Sequence, residues 1–262
     1  MFIIGELING MYQNIGQAIK AKDKAAIQKC AVEQIKAGAD ALDVNCGPAS
    51  RDPISDIQWL VEAIQEVTDK TIVLDSSKPK VIESGLKVVK GKAIINSTTA
   101  DPDKLGILVP LAKQYNAKLI GITISSKGIP KDKDQRLELA ATIVASCVDQ
   151  GFAVEDLYLD PIVLPVNVAQ SQIKDVLESI HEFKIISDPS PKTVVGLSNI
   201  SQGTCTRNLI NRIFLTMAVG VGLDAAILDP LDADLMDAAI TAELLLNKQI
   251  YCDSYLDAYR KK

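Results

Sequence analysis

The sequence is poor in the residues that most enzymes use for chemistry near neutral pH. Its 262 residues contain one histidine, His181, and 4% aromatic residues. One histidine argues against an imidazole relay and against a classical zinc site. Few aromatics mean that any core must be aliphatic, packed from Ile, Val, Leu and Ala. The five cysteines, Cys30, Cys46, Cys147, Cys205 and Cys252, are odd in number and scattered, with no C-x-x-C pair. They read as reduced thiols of a cytoplasmic protein. The net charge is −5, and the one Lys/Arg run is the terminal "YRKK". Nucleic-acid binding needs a concentrated basic face, which is missing. No apolar stretch approaches the ~20 residues that span a bilayer. The opening "MFIIGELING" lacks the basic start of a signal peptide.

What is present is a regular alternation. Eight apolar or β-branched runs recur along the chain: "FIIGELI", "ALDVNC", "TIVLDSS", "AIINSTT", "KLIGITIS", "LYLDPIV", "TVVGLSN" and "AAILDP". Most are near-continuous, as expected of parallel strands covered on both faces. The segments between them carry helical spacing, as in Ile54, Ile57, Leu60, Val61, Ile64 and Val67, or Ile173, Val176, Leu177 and Ile180. Pro79 suits a first helical turn, and Gly38 and Gly151 stand where helices should stop. Eight strand–helix units predict an α/β protein, a (β/α)₈ TIM barrel forming one domain over residues 1–262. A doubly wound open sheet usually carries a glycine-rich turn after its first strand, and "ELINGMYQNIG" matches that poorly.

Function in a barrel collects at the carboxyl ends of the strands. Those ends here carry Glu6, Asn9, Asp43, Asn45, Asp75, Asn96, Asp160, Ser198, Asn199 and Asp229. Asp, Asn and Ser also end strands simply because they make turns and cap helices, and Asp229, just before Pro230, reads that way. Several of the others sit inside the expected strand, where a cap has no use. The ring offers an anion little, since Lys78 and Arg207 are the only basic residues close behind it. Acids and amides suit a neutral heterocycle rich in N–H donors, and a carboxylate can take two parallel hydrogen bonds from an amidine-like edge such as a reduced pterin presents.

"LDSSKPKVIESGLKVVKGKAIINSTT", Leu74 to Thr99, resembles the pterin-binding domain of cobalamin-dependent methionine synthase, as does "ALDVNCGPASRD". "LYLDPIV" is similar to the sixth strand of dihydropteroate synthase. Along essentially the whole chain, with "GELING" and "GLSNISQG" as signatures, the sequence most resembles the methyltetrahydrofolate:corrinoid/iron–sulfur protein methyltransferases of the reductive acetyl-CoA pathway. It departs from dihydropteroate synthase at Gly196-Leu197-Ser198-Asn199, where that enzyme carries a basic pair for its phosphorylated substrate.

The resemblance implies a cytoplasmic homodimer that takes 5-methyltetrahydrofolate as substrate. It implies a corrinoid carried by a separate corrinoid iron–sulfur protein, and no metal of its own. Asp160 is expected to grip the pterin edge, with Asp75 and Asn96 on the other side of the ring and Gly196 giving the ring room. Ser198, Gln202 and Arg207 join this substrate-binding set, the last two toward the folate tail, although Arg207 also fits a solvated helix-start charge. Asp43 and Asn45 are expected to support the wall. Asn199 is the expected catalytic residue, hydrogen-bonding N5 directly or through water as charge develops there. A dihydropteroate synthase-like transferase and a non-catalytic folate-binding subunit are the alternatives. An aldolase using Lys78 ranks lower. The apolar and Tyr-bearing segment "AELLLNKQIYCDSYLDAYRKK" offers a surface that a second copy could cover.

Overall fold

In the computed structural model, which describes residues 1–48 and 50–260, eight parallel strands close into a barrel in chain order. The strands are β1 (Phe2–Asn9), β2 (Ala41–Asn45), β3 (Thr71–Asp75), β4 (Ala93–Thr98), β5 (Lys118–Ile122), β6 (Leu157–Asp160), β7 (Lys192–Gly196) and β8 (Ala225–Leu228). Pairing of β1 with β8, through Phe2–Ala225 to Gly5–Leu228, closes the ring. An open doubly wound sheet is thereby excluded.

The helices run outside. Two of them, α1 (Gln13–Ala21) and α2 (Lys24–Lys36), connect β1 to β2. The rest of the outer layer is α3 (Pro53–Gln65), α4 (Pro79–Leu86), α5 (Pro102–Gln114), α6 (Lys133–Asp149), a short α7 (Val166–Ala169), α8 (Ile173–Phe183), α9 (Arg207–Gly220) and α10 (Ala233–Leu245). Local chemistry explains their ends. Proline occupies the first turn of α3, α4 and α5, where its missing N–H costs nothing. Gly38 and Gly151 have φ of +106° and +64° just beyond α2 and α6, in the left-handed region that ends a helix. Ile57, Leu60, Val61 and Ile64 of α3 are buried against the barrel, whereas Ile54 and Val67 stay exposed at its ends. His181 lies exposed on α8.

The barrel interior is the part that positions the site. Side chains alternate along a strand, so every second residue points inward. One inward residue from each strand forms a separate buried cluster: Ile4, Ala41, Val73, Ile94, Ile120, Tyr158, Val194 and Ala225. This is an apolar floor made of one contribution per strand. Lys118 and Lys192 place their ammonium groups 5.8 and 5.5 Å from the Tyr158 ring centre. At the chain end, α11 (Tyr255–Arg260) packs on α10 through an Arg260–Asp237 ion pair and a 2.9 Å Thr241–Tyr255 hydrogen bond. Ile250 and Tyr251 remain exposed there, and Lys261 and Lys262 of the basic run lie outside the described residues, as does Ala49.

The floor is expected to behave as a packed core. Ile94→Ala should lower unfolding stability by about 2–5 kcal/mol, read from the midpoint of chemical denaturation. A loss below about 1 kcal/mol would mean that the interior is not close-packed.

Candidate functional site

Two residues further along each strand, the inward layer changes character. Ile4 is followed by Glu6, Ala41 by Asp43, Val73 by Asp75, Ile94 by Asn96 and Tyr158 by Asp160. The other three strands place Ile122, Gly196 and Ile227 at this level. An acid–amide arc therefore runs over β1 to β4 and resumes at β6, standing directly on the apolar floor.

Asp43 and Asp75 are both held above the usual carboxylate range, first by burial and, for Asp43, by the charge of Asp75 beside it. Two asparagines relieve them. Asn96 Nδ2 donates to Asp43 Oδ1 at 3.0 Å, and Asn45 Nδ2 donates to Asp75 Oδ2 at 2.7 Å. Asn45 Oδ1 in turn accepts from the Gly47 N–H at 2.7 Å, which fixes its amide. Asp43, 3% exposed, and Asn45 thus orient Asn96 and Asp75 through these hydrogen bonds. Asn96 keeps its carbonyl oxygen, and Asp75 keeps one carboxylate oxygen, for whatever enters the mouth.

Asp160 is 8% exposed and stands apart from the pair. Its Oδ1 accepts from the Ile162 N–H at 2.8 Å, and its backbone oxygen accepts from Thr123 N and Oγ1 at 2.9 and 3.0 Å. Burial pushes its carboxyl up to about 7, only partly countered by the Ile162 N–H. Burial thus favours the protonated form of Asp160 in the unliganded site, where the sequence suggested a plain carboxylate. None of Asp43, Asp75 and Asp160 has a Lys or Arg within ion-pair distance among the described residues.

The stretch after β7 differs most from its sequence reading. The strand stops at Gly196, whose last partner is Ile227, and Leu197–Ser201 turns into a 3₁₀ helix. Asn199 rides on that turn, exposed, and its side-chain amide has no hydrogen-bond partner among the described residues. A Cβ at position 196 would lie 2.9 Å from Asn199 Nδ2. Gly196 is needed there first to seat the Asn199 amide. Ser198 Oγ donates to Glu6 Oε1 at 2.7 Å, tying the turn to β1. Arg207, exposed at the start of α9, braces the turn, with Nε donating to Ser201 Oγ at 3.1 Å and Nη2 to the Ser198 carbonyl at 3.3 Å. Gln202 is exposed at the end of the turn. Lys78 lies exposed outside the mouth, capping α4.

Beyond the turn, a cleft of about 610 Å³ opens over β7, β8 and β1, with Glu6, Ser198, Arg207, Asn211 and Asp229 in its lining. Sequence reading missed two of these. Asp229 does make the expected turn, Oδ1 accepting from the Leu231 N–H at 2.9 Å, yet it also faces the cleft. Asn211 belongs to the middle of α9, and a polar residue among Ile210, Phe214 and Leu215 was the only signal available.

Comparison with known proteins gives this arc of acids and amides a context. The sequence profile described as pterin binding enzyme matches residues 13–229. The chain belongs to the pterin-binding enzyme family. It is 29% identical over its whole length to the methylcorrinoid:tetrahydrofolate methyltransferase of Eubacterium limosum, covering 97% of that protein. It is 25% identical to the methionine synthase of Mycobacterium tuberculosis over 87% of this chain, but spans only 20% of that much longer protein. Dihydropteroate synthase of Coxiella burnetii in complex with pteroic acid superimposes with a TM-score of 0.72 at 15% identity, covering 95% of this chain and 94% of that one. The Xanthomonas albilineans dihydropteroate synthase in complex with 7,8-dihydropteroate gives 0.67 at 14%, covering 94% and 93%. These two likenesses show the shared fold.

In this pterin-binding enzyme, no group of three or more His, Cys, Asp or Glu among the described residues could hold a metal ion. No helix among them is long and apolar enough to cross a membrane. The polar side chains of the inward layer at the mouth are carboxylates and amides.

A carboxyl whose folded pKa is raised destabilises the fold once pH exceeds its unfolded pKa, and the cost grows until the folded pKa is passed. For Asp160 that window runs from about 4 to about 7. Asp160→Asn should therefore stabilise the unliganded protein at pH 8, by up to about 4 kcal/mol, and the gain should vanish toward pH 4. Thermal unfolding of both proteins across that range measures it. A gain independent of pH would contradict the raised carboxyl.

Proposed function

We propose that the protein moves a methyl group between N5 of tetrahydrofolate and the cobalt of a corrinoid held by a separate protein. The observation that carries this reading is the set Asp75, Asn96 and Asp160 around one mouth, with the exposed Asn199 amide at its edge and no basic pair after β7. Whole-chain similarity to a methylcorrinoid:tetrahydrofolate methyltransferase, and partial similarity to methionine synthase, support it. We assign the partner as a corrinoid iron–sulfur protein and the setting as the reductive acetyl-CoA pathway of the cytoplasm, with the enzyme a homodimer.

The geometry supports the following roles. Asp160, with one oxygen committed to Ile162 N–H, offers the other to the ring N–H and exocyclic amine of the pterin. Those donors favour the ionised form, so binding pulls the Asp160 carboxyl below 7. Asn96 offers its carbonyl and Asp75 its free oxygen to the opposite side of the ring. Gln202 and the unengaged end of Arg207 lie toward the folate tail.

The transfer is an in-line displacement. Cobalt(I) attacks the N5 methyl carbon, the C–N bond breaks, and N5 keeps the electron pair and takes a proton. A tertiary amine is a poor leaving group: breaking the C–N bond puts negative charge on N5, and that charge has to be met by protonation or a strengthening hydrogen bond. Asn199 is that partner, since its amide is exposed and carries no other hydrogen bond among the described residues. It does not titrate, so it orients and stabilises the N5–H rather than supplying its proton, directly or through a bound water.

Mixing the protein with 5-methyltetrahydrofolate and cob(I)alamin should convert the cobalt(I) spectrum to that of methylcobalamin. Absence of methylcobalamin sinks the reading, and formation of dihydropteroate from a pterin pyrophosphate would replace it with the synthase. Asp160→Ala should weaken folate binding by about 2–4 kcal/mol, because two donors lose their acceptor. Wild-type affinity should also fall as pH drops below about 7, where Asp160 takes up its proton. Titration calorimetry across pH reads both.

Gly196→Ala probes Asn199 from underneath. The added Cβ meets only the end of the Asn199 side chain, which can swing away. Stability should change by less than about 1 kcal/mol, while methyl transfer slows toward the rate of Asn199→Ala. Unchanged transfer in both variants would remove Asn199 from the mechanism.

A further inference from the structure

The residues assigned to the pterin ring stand on β3, β4, β6 and β7, and in the other half of the mouth, over β8 and β1, only Arg207 at the edge beside the turn after β7 is assigned, toward the folate tail. The 610 Å³ cleft in that half is rich in acceptors. Glu6 and Asp229 stand side by side, one step beyond the paired Gly5 and Leu228, and burial together with the charge of Asp229 raises the Glu6 carboxyl. Asp229 and Asp232 each commit Oδ1 to a backbone N–H, of Leu231 and Leu235, at 2.9 and 3.1 Å. Glu6 commits Oε1 to Ser198 and Tyr12. The second oxygen of all three carboxylates accepts no hydrogen bond among the described residues.

An independent feature points the same way. Asn211, 8% exposed and lining this cleft, has a carbonyl oxygen, Oδ1, with no hydrogen-bond partner. An orphaned buried acceptor costs about 1–3 kcal/mol and is a group in want of a donor. Arg207, the cation in the lining, is already engaged with the turn after β7. The apolar side chain of Leu231, 47% exposed, and the ring of Tyr12, 40% exposed, flank the acceptors. The ligand that fits is not an anion, is fringed with N–H donors and carries some apolar surface to meet Leu231 and Tyr12.

We propose that this cleft receives the primary carboxamide arms of the corrin ring, with Glu6, Asp229, Asp232 and Asn211 accepting their N–H groups. The inference rests on the methyl transfer proposed above and adds to it the half of the mouth on which the macrocycle lies. A corrin ring is an apolar disc edged with primary amides. Its cobalt must reach a methyl held beside Asn199, so its rim has to extend past the turn after β7, which is where these acceptors begin. The same set discriminates, because a corrinoid bearing carboxylates in place of amides would meet carboxylates.

Two cobalt(I) acceptors that both lack the nucleotide loop provide the test: cobinamide, whose arms are amides, and cobyrinic acid, whose arms are carboxylates. Transfer from 5-methyltetrahydrofolate should show a KM at least about tenfold higher for cobyrinic acid, corresponding to about 1.4 kcal/mol. The double variant Asp229→Asn/Asp232→Asn, which keeps both backbone hydrogen bonds through the amide oxygen, should reduce that ratio at least about threefold, with the Kd for folate unchanged. Neutralising two distant exposed carboxylates instead, Asp149→Asn/Glu155→Gln, should leave the ratio as in the wild type, which separates the cleft from the net charge. Equal KM for the two acceptors overturns the inference while the methyl transfer stands. So does a ratio that the cleft variant leaves intact, or that the distant variant reduces as much. No transfer to either acceptor overturns the proposed reaction, and this inference with it.

Discussion

The site depends on burying carboxylates against an apolar floor with no cation at ion-pair distance among the described residues. Barrel closure forces one inward side chain per strand at each level, and a step of two residues takes the interior from Ile, Val and Ala to Glu6, Asp43, Asp75 and Asp160. Burying an unpaired charge is costly, and the usual outcome is that the group shifts its pKa or finds donors. Both happen here. Asn96 and Asn45 donate to the Asp43–Asp75 pair, whereas Asp160, with one backbone N–H, moves up to about 7. A guanidinium would stabilise these acids far better and would fill the mouth. The arrangement leaves acceptor oxygens on Asp75, Asn96 and Asp160 without a partner among the described residues, as the proposed binding of a donor-rich ring would require, at a cost in stability.

The fold was legible because parallel strands buried on both faces read as apolar runs, and helices outside a barrel read as amphipathic segments. Strand ends were legible as polar residues placed inside the run. What a single sequence does not show is where pairing stops. "TVVGLSN" reads as one continuous strand, but Gly196 is the last residue with a partner on β8, and the chain then tightens into a 3₁₀ turn that lifts Asn199 out of the layer. Second partners were equally hidden. Arg207 has the look of a free surface charge because its acceptors, Ser201 Oγ and the Ser198 carbonyl, come together only once the turn exists. Asp229 reads correctly as a turn residue, but only closure of β8 on β1 sets it beside Glu6.

Gly196 shows how one position serves two levels of organisation. Its missing side chain leaves a gap in the inward layer between Asp160 and Ile227, and that gap is where the Asn199 amide rests. Sequence alone suggests a glycine that lets a ligand approach the backbone. The structure adds that the glycine's own loop is the first occupant of the space. A ligand entering over Gly196 therefore meets the amide before it meets the barrel wall. For the role proposed for Asn199, an amide with no competing hydrogen bond among the described residues is a favourable starting state, since no contact within the protein has to be broken first.

The lack of a titrating group at Asn199 also bears on direction. The Eubacterium limosum relative is named for transfer from a methylcorrinoid to tetrahydrofolate, the reverse of displacement from 5-methyltetrahydrofolate. Any site that stabilises the transition state of one direction stabilises the other, because the transition state is the same. A strong acid near N5 would nonetheless hold a proton in one resting state and have lost it in the other, making the working pH range differ between directions. An amide removes that asymmetry. In the transfer proposed above, Asn199 would meet N5–H equally as it forms or as it disappears, with the proton exchanged with solvent. On that proposal, direction would be set by the supply of methylated folate and methylated corrinoid rather than by a protonation state at position 199.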